Sequence, residues 1–335
     1  MVKLVCPKCK NIELEEATNT LLCHRCSQTY NIINGIPTFI ADGDSDDTKY
    51  YDNWHNNPYQ HFNLKNIGAP LHESSLIKKH ERFFEQILYT KYKRERFFKR
   101  VAKMLDKDSA ILDLGCGAGN NVFCRFENIY GIDYSMQALR GGQTIKQYKM
   151  TINADCTNPP LPSETFDCII SSDLIGHIRE DKKDSLFTNI SRLLKPNAIT
   201  AHVIETDNSN FLRTFAKHYP DLYDKYFINA IGGHFGMEMP DVVINRFISA
   251  GLTPIFIKKY YTYIWDIESF IALFDNEYRN HSYLLDNVLK FYTLLCKNIN
   301  VKIAATFLTG AASYIVDQFA GLEKAEGLLI ICAKE

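Results

Sequence analysis

Ala110-Ile111-Leu112-Asp113-Leu114 runs straight into Gly115-Cys116-Gly117-Ala118-Gly119, an apolar stretch with one acid followed by three glycines at alternate positions. The apolar stretch predicts a buried strand. The glycines predict a turn into a helix, where bare backbone approaches a ligand without side-chain clashes. Taken alone a G-x-G-x-G turn is a weak signal, and a pyrophosphate-binding turn would read G-x-G-x-x-G. Its context strengthens it. Asn128-Ile129-Tyr130-Gly131-Ile132-Asp133 is a second short strand ending in an acid, 18 residues past Gly115. That separation suits a carboxylate bound to ribose hydroxyls at the end of strand two.

Working outward, Phe166-Asp167-Cys168-Ile169-Ile170-Ser171 and Ala198 to Ile204 are further β-rich runs, alternating with helical patterns over 135–146 and 182–194. Strand and helix alternating in this way predict a parallel sheet with crossover helices. Met239 to Ala250 predicts a helix closed by Gly251, and 254–263 and 327–333 predict two late strands. The roughly 60 residues between these strands far exceed a hairpin loop. Residues 264–325 are therefore read as a helical, aromatic-rich insertion, and 207–237 as a second insertion after strand five.

These motifs, in this order, resemble the class I S-adenosylmethionine-dependent methyltransferases. ILDLGCGAG resembles their first motif, which implies that Asp113, Gly115, Gly117 and Gly119 surround the methionine part of S-adenosyl-L-methionine. GIDYS resembles the ribose motif, implying Asp133 on the hydroxyls and Tyr134 or Met136 beside adenine. ADCTNPPLPSETFDCIIS resembles the segment whose acid, here Asp155, receives the adenine amino group while Cys156 supplies backbone; Ser171, closing the fourth strand, joins the cofactor set. SDLIGHI and SRLLKPNA resemble the end of that strand and the helix and turn beyond it. The resemblance covers residues 110–206 and implies a seven-stranded, Rossmann-like α/β sheet. Lys49-Tyr50-Tyr51-Asp52 is similar to the aromatic segment that folds over the cofactor in relatives, which makes Tyr51 a candidate.

Methyl transfer is an in-line displacement at an already activated methyl, so the enzyme aligns the acceptor, excludes water and, where needed, removes a proton. Candidate groups lie just past strand ends: Asp173 and Asp207, and His177, whose imidazole titrates in a useful range. His234, in Ile231-Gly232-Gly233-His234-Phe235-Gly236, sits on a glycine-flanked loop suited to a lid. For each histidine a packing or capping role is the alternative. The expected acceptor pocket is built from 207–237 and 264–325, with His177 at its floor and His234 at its mouth.

The N-terminus carries its own signal. Cys6-Pro7-Lys8-Cys9 and Cys23-His24-Arg25-Cys26 are two C-x-x-C pairs thirteen residues apart, the pattern of a closed tetrahedral thiolate site that Zn2+ suits best. So short a segment buries little core, and metal would supply most of its folding free energy. Leu4 to Ile40 resembles the small zinc-ribbon adaptors that activate tRNA, rRNA and release-factor methyltransferases, although Asn31 replaces a proline of their pattern. The expected organisation is a zinc ribbon over 1–40, an acidic linker over 41–48 and a methyltransferase domain over 49–335.

Composition limits what remains. The 335 residues are 46% hydrophobic and 23% charged with a formal charge of −1, which excludes wholesale disorder and a global polyelectrolyte. No signal region or unbroken apolar span is evident, so a soluble, cytoplasmic protein without a transmembrane segment is expected. Residues 78–103 are the exception, with ten Lys/Arg against three Glu. Such a segment is either a solvated face or a surface for an anionic ligand. The function expected is methyl transfer to a small or medium acceptor (a glycan, a lipid-linked intermediate or a secondary metabolite). An RNA methyltransferase and a catalytically silent cofactor-binding protein are the alternatives.

Overall fold

The computed structural model describes residues 2–10, 13–40, 64–67, 79, 90–140, 148–229, 233–260 and 267–335. Tyr51, the acidic linker 41–48 and most of the basic segment before Thr90 lie outside the described residues.

The core strands are β5 (Ile111–Leu114), β6 (Ile129–Asp133), β7 (Met150–Asn153), β8 (Phe166–Ser172), β9 (Leu194–Glu205), β10 (Leu252–Tyr260) and β11 (Gly327–Lys334). Their order is β7-β6-β5-β8-β9-β11-β10. Pairings are parallel from β7 to β9, whereas β11 runs antiparallel between β9 and β10. The two late strands thus pair as expected despite the insertion between them. β5 and β8 are neighbours in space but not in sequence, and strand order reverses there. A ligand crevice opens at the carboxyl ends of strands around such a switch point.

The apolar run of β5 sends alternate residues to opposite faces. Leu112 and Leu114 join Ile132, Ile169 and the helices Glu180–Leu193 and Pro240–Ser249 in one core cluster. Ile111 joins Cys168, Ile170 and the helix Thr90–Ala102, which contributes Phe97, Phe98 and Val101, in the other. Burial on both faces explains why these strands read as continuous hydrophobic runs rather than as alternation.

The N-terminal residues do not form a separate body. Strands β1 (Glu15–Ala17), β2 (Thr20–Leu22), β3 (Thr29–Ile33) and β4 (Ile36–Thr38) make an antiparallel meander. Its last strand pairs in parallel with β7, Thr38 opposite Asn153. Phe39 N donates to Asn153 O at 2.8 Å, and Val5 N to Pro160 O at 3.0 Å. Leu4, Cys6, Leu21 and Cys23 share the core cluster of Leu112. Pairing and shared apolar burial make one eleven-stranded sheet of what the sequence divides in two.

Both insertions are helical, and they pack on each other. Phe227 of the first lies against Phe274 and Tyr278 of the second, in a cluster that also takes in Phe270 and Leu289. The last insertion helix, Ile299–Phe319, is the one described helix long and apolar enough to cross a membrane, by length and composition alone. It turns Lys302, Thr306 and Ser313 inward, all of them buried.

Candidate active site

The glycine turn is closed by the acids that flank it. Gly115 has φ of +65°, which favours glycine, and an added Cβ would stand 2.9 Å from the Leu174 side chain, so any other residue would have to push Leu174 aside. Gly117 N donates to Asp133 Oδ2 at 2.7 Å and Ser135 N to Asp133 Oδ1 at 2.8 Å. These two backbone donors hold the Asp133 carboxylate at the end of β6, beside the glycine turn. Asp113 is 4% exposed. Its Oδ2 accepts from the Tyr148 hydroxyl at 2.5 Å, and that hydroxyl accepts from Asn120 N at 2.8 Å. Burial pushes the Asp113 carboxyl up to about 7; the Tyr148 hydrogen bond opposes this and the Asp133 charge adds to it.

A cleft of about 1120 Å³ opens over this turn, lined by Asp113, Gly115, Gly119 and Asp173 together with Arg94 and Arg96 of the helix Thr90–Ala102. Arg94 pairs with Asp173 Oδ2. Asp173 Oδ1 is buried with no hydrogen-bond partner among the described residues. Burial and the Glu205 charge push the Asp173 carboxyl up to about 7 against the pull of Arg94.

The remaining candidates do not line this cleft, and each is held by its own partners. Asn153 Nδ2 donates to the carbonyls of Asp133 and Tyr134, at 3.1 and 2.9 Å, which fixes the loop leading to Met136. Asp155 Oδ1 accepts from Thr157 N and Oγ1, and Lys182 Nζ stands 3.5 Å from Oδ2. Cys156 is buried, and burial pushes its thiol well above the usual range. Ser171 departs from expectation. It shares the face of Ile169, is fully buried, and its Oγ lies 2.7 Å from His202 Nδ1, so its side chain belongs to the core. Asp207 pairs with Lys217 at 2.6 Å.

His177 and His234 come together, but not as floor and mouth. His234 is 5% exposed, and its Nε2 lies 2.7 Å from Glu205 Oε2. His177 Nε2 is 3.8 Å from the same oxygen, and the two imidazole centroids are 4.6 Å apart. Burial alone would raise the Glu205 carboxyl, yet the charge and hydrogen bond of His234, with His177 and Arg94, hold it down at about 2. The loop carrying His234 is pinned rather than open. Gly236 N donates to Gly176 O at 3.0 Å, and Lys183 reaches both Gly236 O and, at 3.0 Å, Glu238 Oε2. The sequence marks Arg94 only as part of the basic segment 78–103 and gives no sign of Tyr148. Glu205 ends the fifth strand as Asp133 ends the second, which was its one available signal.

The four N-terminal cysteines converge, their sulfurs all within 4.8 Å of one another. Cys6 and Cys26 sulfurs are 3.8 Å apart, the edge of a tetrahedron about an ion roughly 2.3 Å from each thiolate. The two C-x-x-C turns are alike: Lys10 N donates to Cys6 O and Ser27 N to Cys23 O, both at 2.8 Å, and Lys10 and Ser27 both have positive φ. The donor set fits zinc.

Comparison with known proteins agrees with this geometry. Residues 112–201 match the methyltransferase domain family. Phosphoethanolamine N-methyltransferase 3 of Arabidopsis thaliana is 31% identical over 175 residues, covering 48% of this chain and 34% of its own length. The phosphoethanolamine N-methyltransferase of Triticum aestivum is 35% identical over 97 residues, covering 26% and 18%. The chain therefore spans about a third or less of these relatives. Among solved structures, the geranyl diphosphate C-methyltransferase of Streptomyces coelicolor A3(2) superposes with a TM-score of 0.49 at 12% identity, over 87% of this chain and 99% of that one. Sheet order, glycine turn, strand-end acids and family match converge: residues 112–201, which match the methyltransferase domain family, form the centre of a class I methyltransferase-type α/β fold.

Proposed function

We propose that the chain transfers a methyl group from S-adenosylmethionine to a small or medium acceptor that carries negative charge. The observation carrying this reading is the cleft itself. Asp113, Gly115 and Asp173 line it together with Arg94, Arg96, Lys99, Arg100 and Lys103, against a single acid, Glu95, from the same basic segment. The plant relatives are named for a small phosphorylated acceptor, which supports the reading.

In this arrangement Asp133 takes the ribose hydroxyls, Asp155 the adenine amino group, and Asp113 with the Gly115 turn the cationic methionine end. The donor supplies one thing, a methyl already activated by its sulfonium. The acceptor lone pair attacks that carbon in line, the carbon–sulfur bond breaks with its electrons left on sulfur, and the acceptor's proton leaves to a base. Asp173 is the better placed base, lining the cleft with Gly115 and with one oxygen unpartnered among the described residues, whereas His177 turns its Nε2 toward Glu205. We also infer that Cys6, Cys9, Cys23 and Cys26 hold one structural zinc.

A basic cleft also suits RNA, so the test uses both substrate classes. Labelled S-adenosylmethionine is incubated with phosphoethanolamine, with other small phosphorylated amines and alcohols, and with bulk tRNA. Transfer to a small acceptor that tolerates salt upholds the proposal. Labelling of tRNA alone, with binding that weakens steeply as salt rises, replaces it with the RNA reading. Donor binding without transfer to any acceptor replaces it with a silent binding protein.

A further inference from the structure

We propose that His177, Glu205 and His234 form a divalent-cation site at the edge of the methyl-transfer cleft. Their ligand atoms all lie within 4.8 Å of one another, and they arrive from three separate segments. His177 closes the 3-10 turn Ile175–His177, Glu205 ends β9, and His234 opens the first insertion's loop. All three sit at the strand carboxyl ends, where Asp173 N also donates to Val203 O at 2.9 Å.

Charge bookkeeping at this cluster favours a cation. His177 Nδ1 lies 3.3 Å from Gly233 O, a carbonyl that only accepts, so that nitrogen carries the hydrogen. His177 Nε2 and His234 Nε2 stand 3.8 and 2.7 Å from one oxygen of the Glu205 carboxylate. A shared proton serves one of these pairs; a metal ion among the three ligand atoms serves all of them. Two imidazoles and one carboxylate on one side of an ion leave its other positions open, the donor set of Mn2+, Fe2+, Co2+ or Zn2+ sites that accept substrate. The cage is assembled in advance, because Gly236–Gly176 and Lys183–Glu238 pin the loop of His234 over the turn of His177.

The existence of the site is independent of the acceptor reading; its purpose rests on that reading. An ion here polarises an acceptor hydroxyl or gathers a phosphate oxygen beside Asp173, which orients the nucleophile toward the methyl. Mn2+ is the probe, since a hard ion leaves the four-thiolate ribbon to zinc. Free Mn2+ is measured by electron paramagnetic resonance as it is titrated into the zinc-loaded full chain. One Mn2+ bound per chain is expected, weakened at least about tenfold in His177→Ala and in Glu205→Gln, and unchanged when S-adenosylmethionine is omitted. Calorimetric donor binding on the same variants shows that they are folded and tests the donor reading separately. Absence of saturable binding of both Mn2+ and Co2+ in the wild-type chain, or binding retained in both variants, overturns the site and leaves a His–Glu ion pair.

Discussion

Tyr148 donates its hydroxyl to Asp113 Oδ2 at 2.5 Å, and the hydrogen bond is buried. That bond stabilises the carboxylate, but desolvation outweighs it, and Asp113 sits at about 7. A cationic methionine end favours the ionised form, so below about 7 a proton must be lost when the donor binds. Donor affinity is therefore expected to fall by roughly tenfold per pH unit between about 7 and 5.5, the slope of one linked proton. Asp113→Asn should bind more weakly and flatten that dependence. Calorimetry across this range decides it, and a wild-type profile already flat would place the cation elsewhere.

Asp133→Ala removes the ribose carboxylate together with the acceptor for Gly117 N and Ser135 N. A loss on the order of 1–3 kcal/mol in donor affinity is expected. Unchanged affinity in both Asp133→Ala and Asp155→Ala would move the donor out of this crevice.

The sheet was legible because its signals are local. Ile111 to Gly119 carries strand, turn and acid within ten residues, and Asp133 follows at a fixed distance. The partners that finish the site come from far along the chain. Arg94 meets Asp173 across 79 residues and His177 meets Gly233 across 56. Helical spacing marks Arg94 as one more charge on a polar face and gives no sign of what it faces. Ser171 was misplaced because a strand buried on both sides shows no polar alternation to tell its faces apart. The N-terminal meander looked independent because cysteine spacing speaks of metal, whereas its attachment depends on partners far along the chain, Thr38 and Phe39 with Asn153 and Val5 with Pro160.

That attachment changes what losing the zinc should do. One zinc per chain is expected to copurify. Cys6→Ser or Cys23→Ser should loosen the meander and, through Thr38 and Phe39, raise hydrogen exchange along β7 beside Asn153. Metal analysis gives the stoichiometry and exchange mapping the reach. Loosening that stops at residue 40 would mean that the shared core contributes little.

Gly236 is one of the points where the first insertion touches the 3-10 turn, through its N–H to Gly176 O. A Cβ there would stand 1.7 Å from Ile178 O, closer than any contact allows. Gly236→Ala should lift the loop from its seat, separating His234 from Glu205 while Gly115 and Asp133 stay in place. The expected result is faster proteolysis around 233–239 and weaker acceptor binding, with donor affinity kept. Equal loss of donor and acceptor binding would show that the loop braces the whole cleft.

Asp173 and His177 can be separated as proton acceptors by kinetics rather than geometry. Asp173 borders the cleft with a buried oxygen unpartnered among the described residues, and an amide in its place keeps the shape while losing the basicity. If Asp173 takes the acceptor's proton, Asp173→Asn should lower kcat by roughly 10²–10⁴ with donor affinity unchanged, the usual worth of a general base. Arg94→Met removes the cation that holds the Asp173 carboxylate in place. It should raise KM for an anionic acceptor more than it lowers kcat, because that guanidinium meets the ligand's charge before and during transfer. His177→Ala then discriminates. A kcat loss matching that of Asp173→Asn would make the imidazole a partner in proton removal, whereas a loss reversed by added Mn2+ would make its work the holding of an ion.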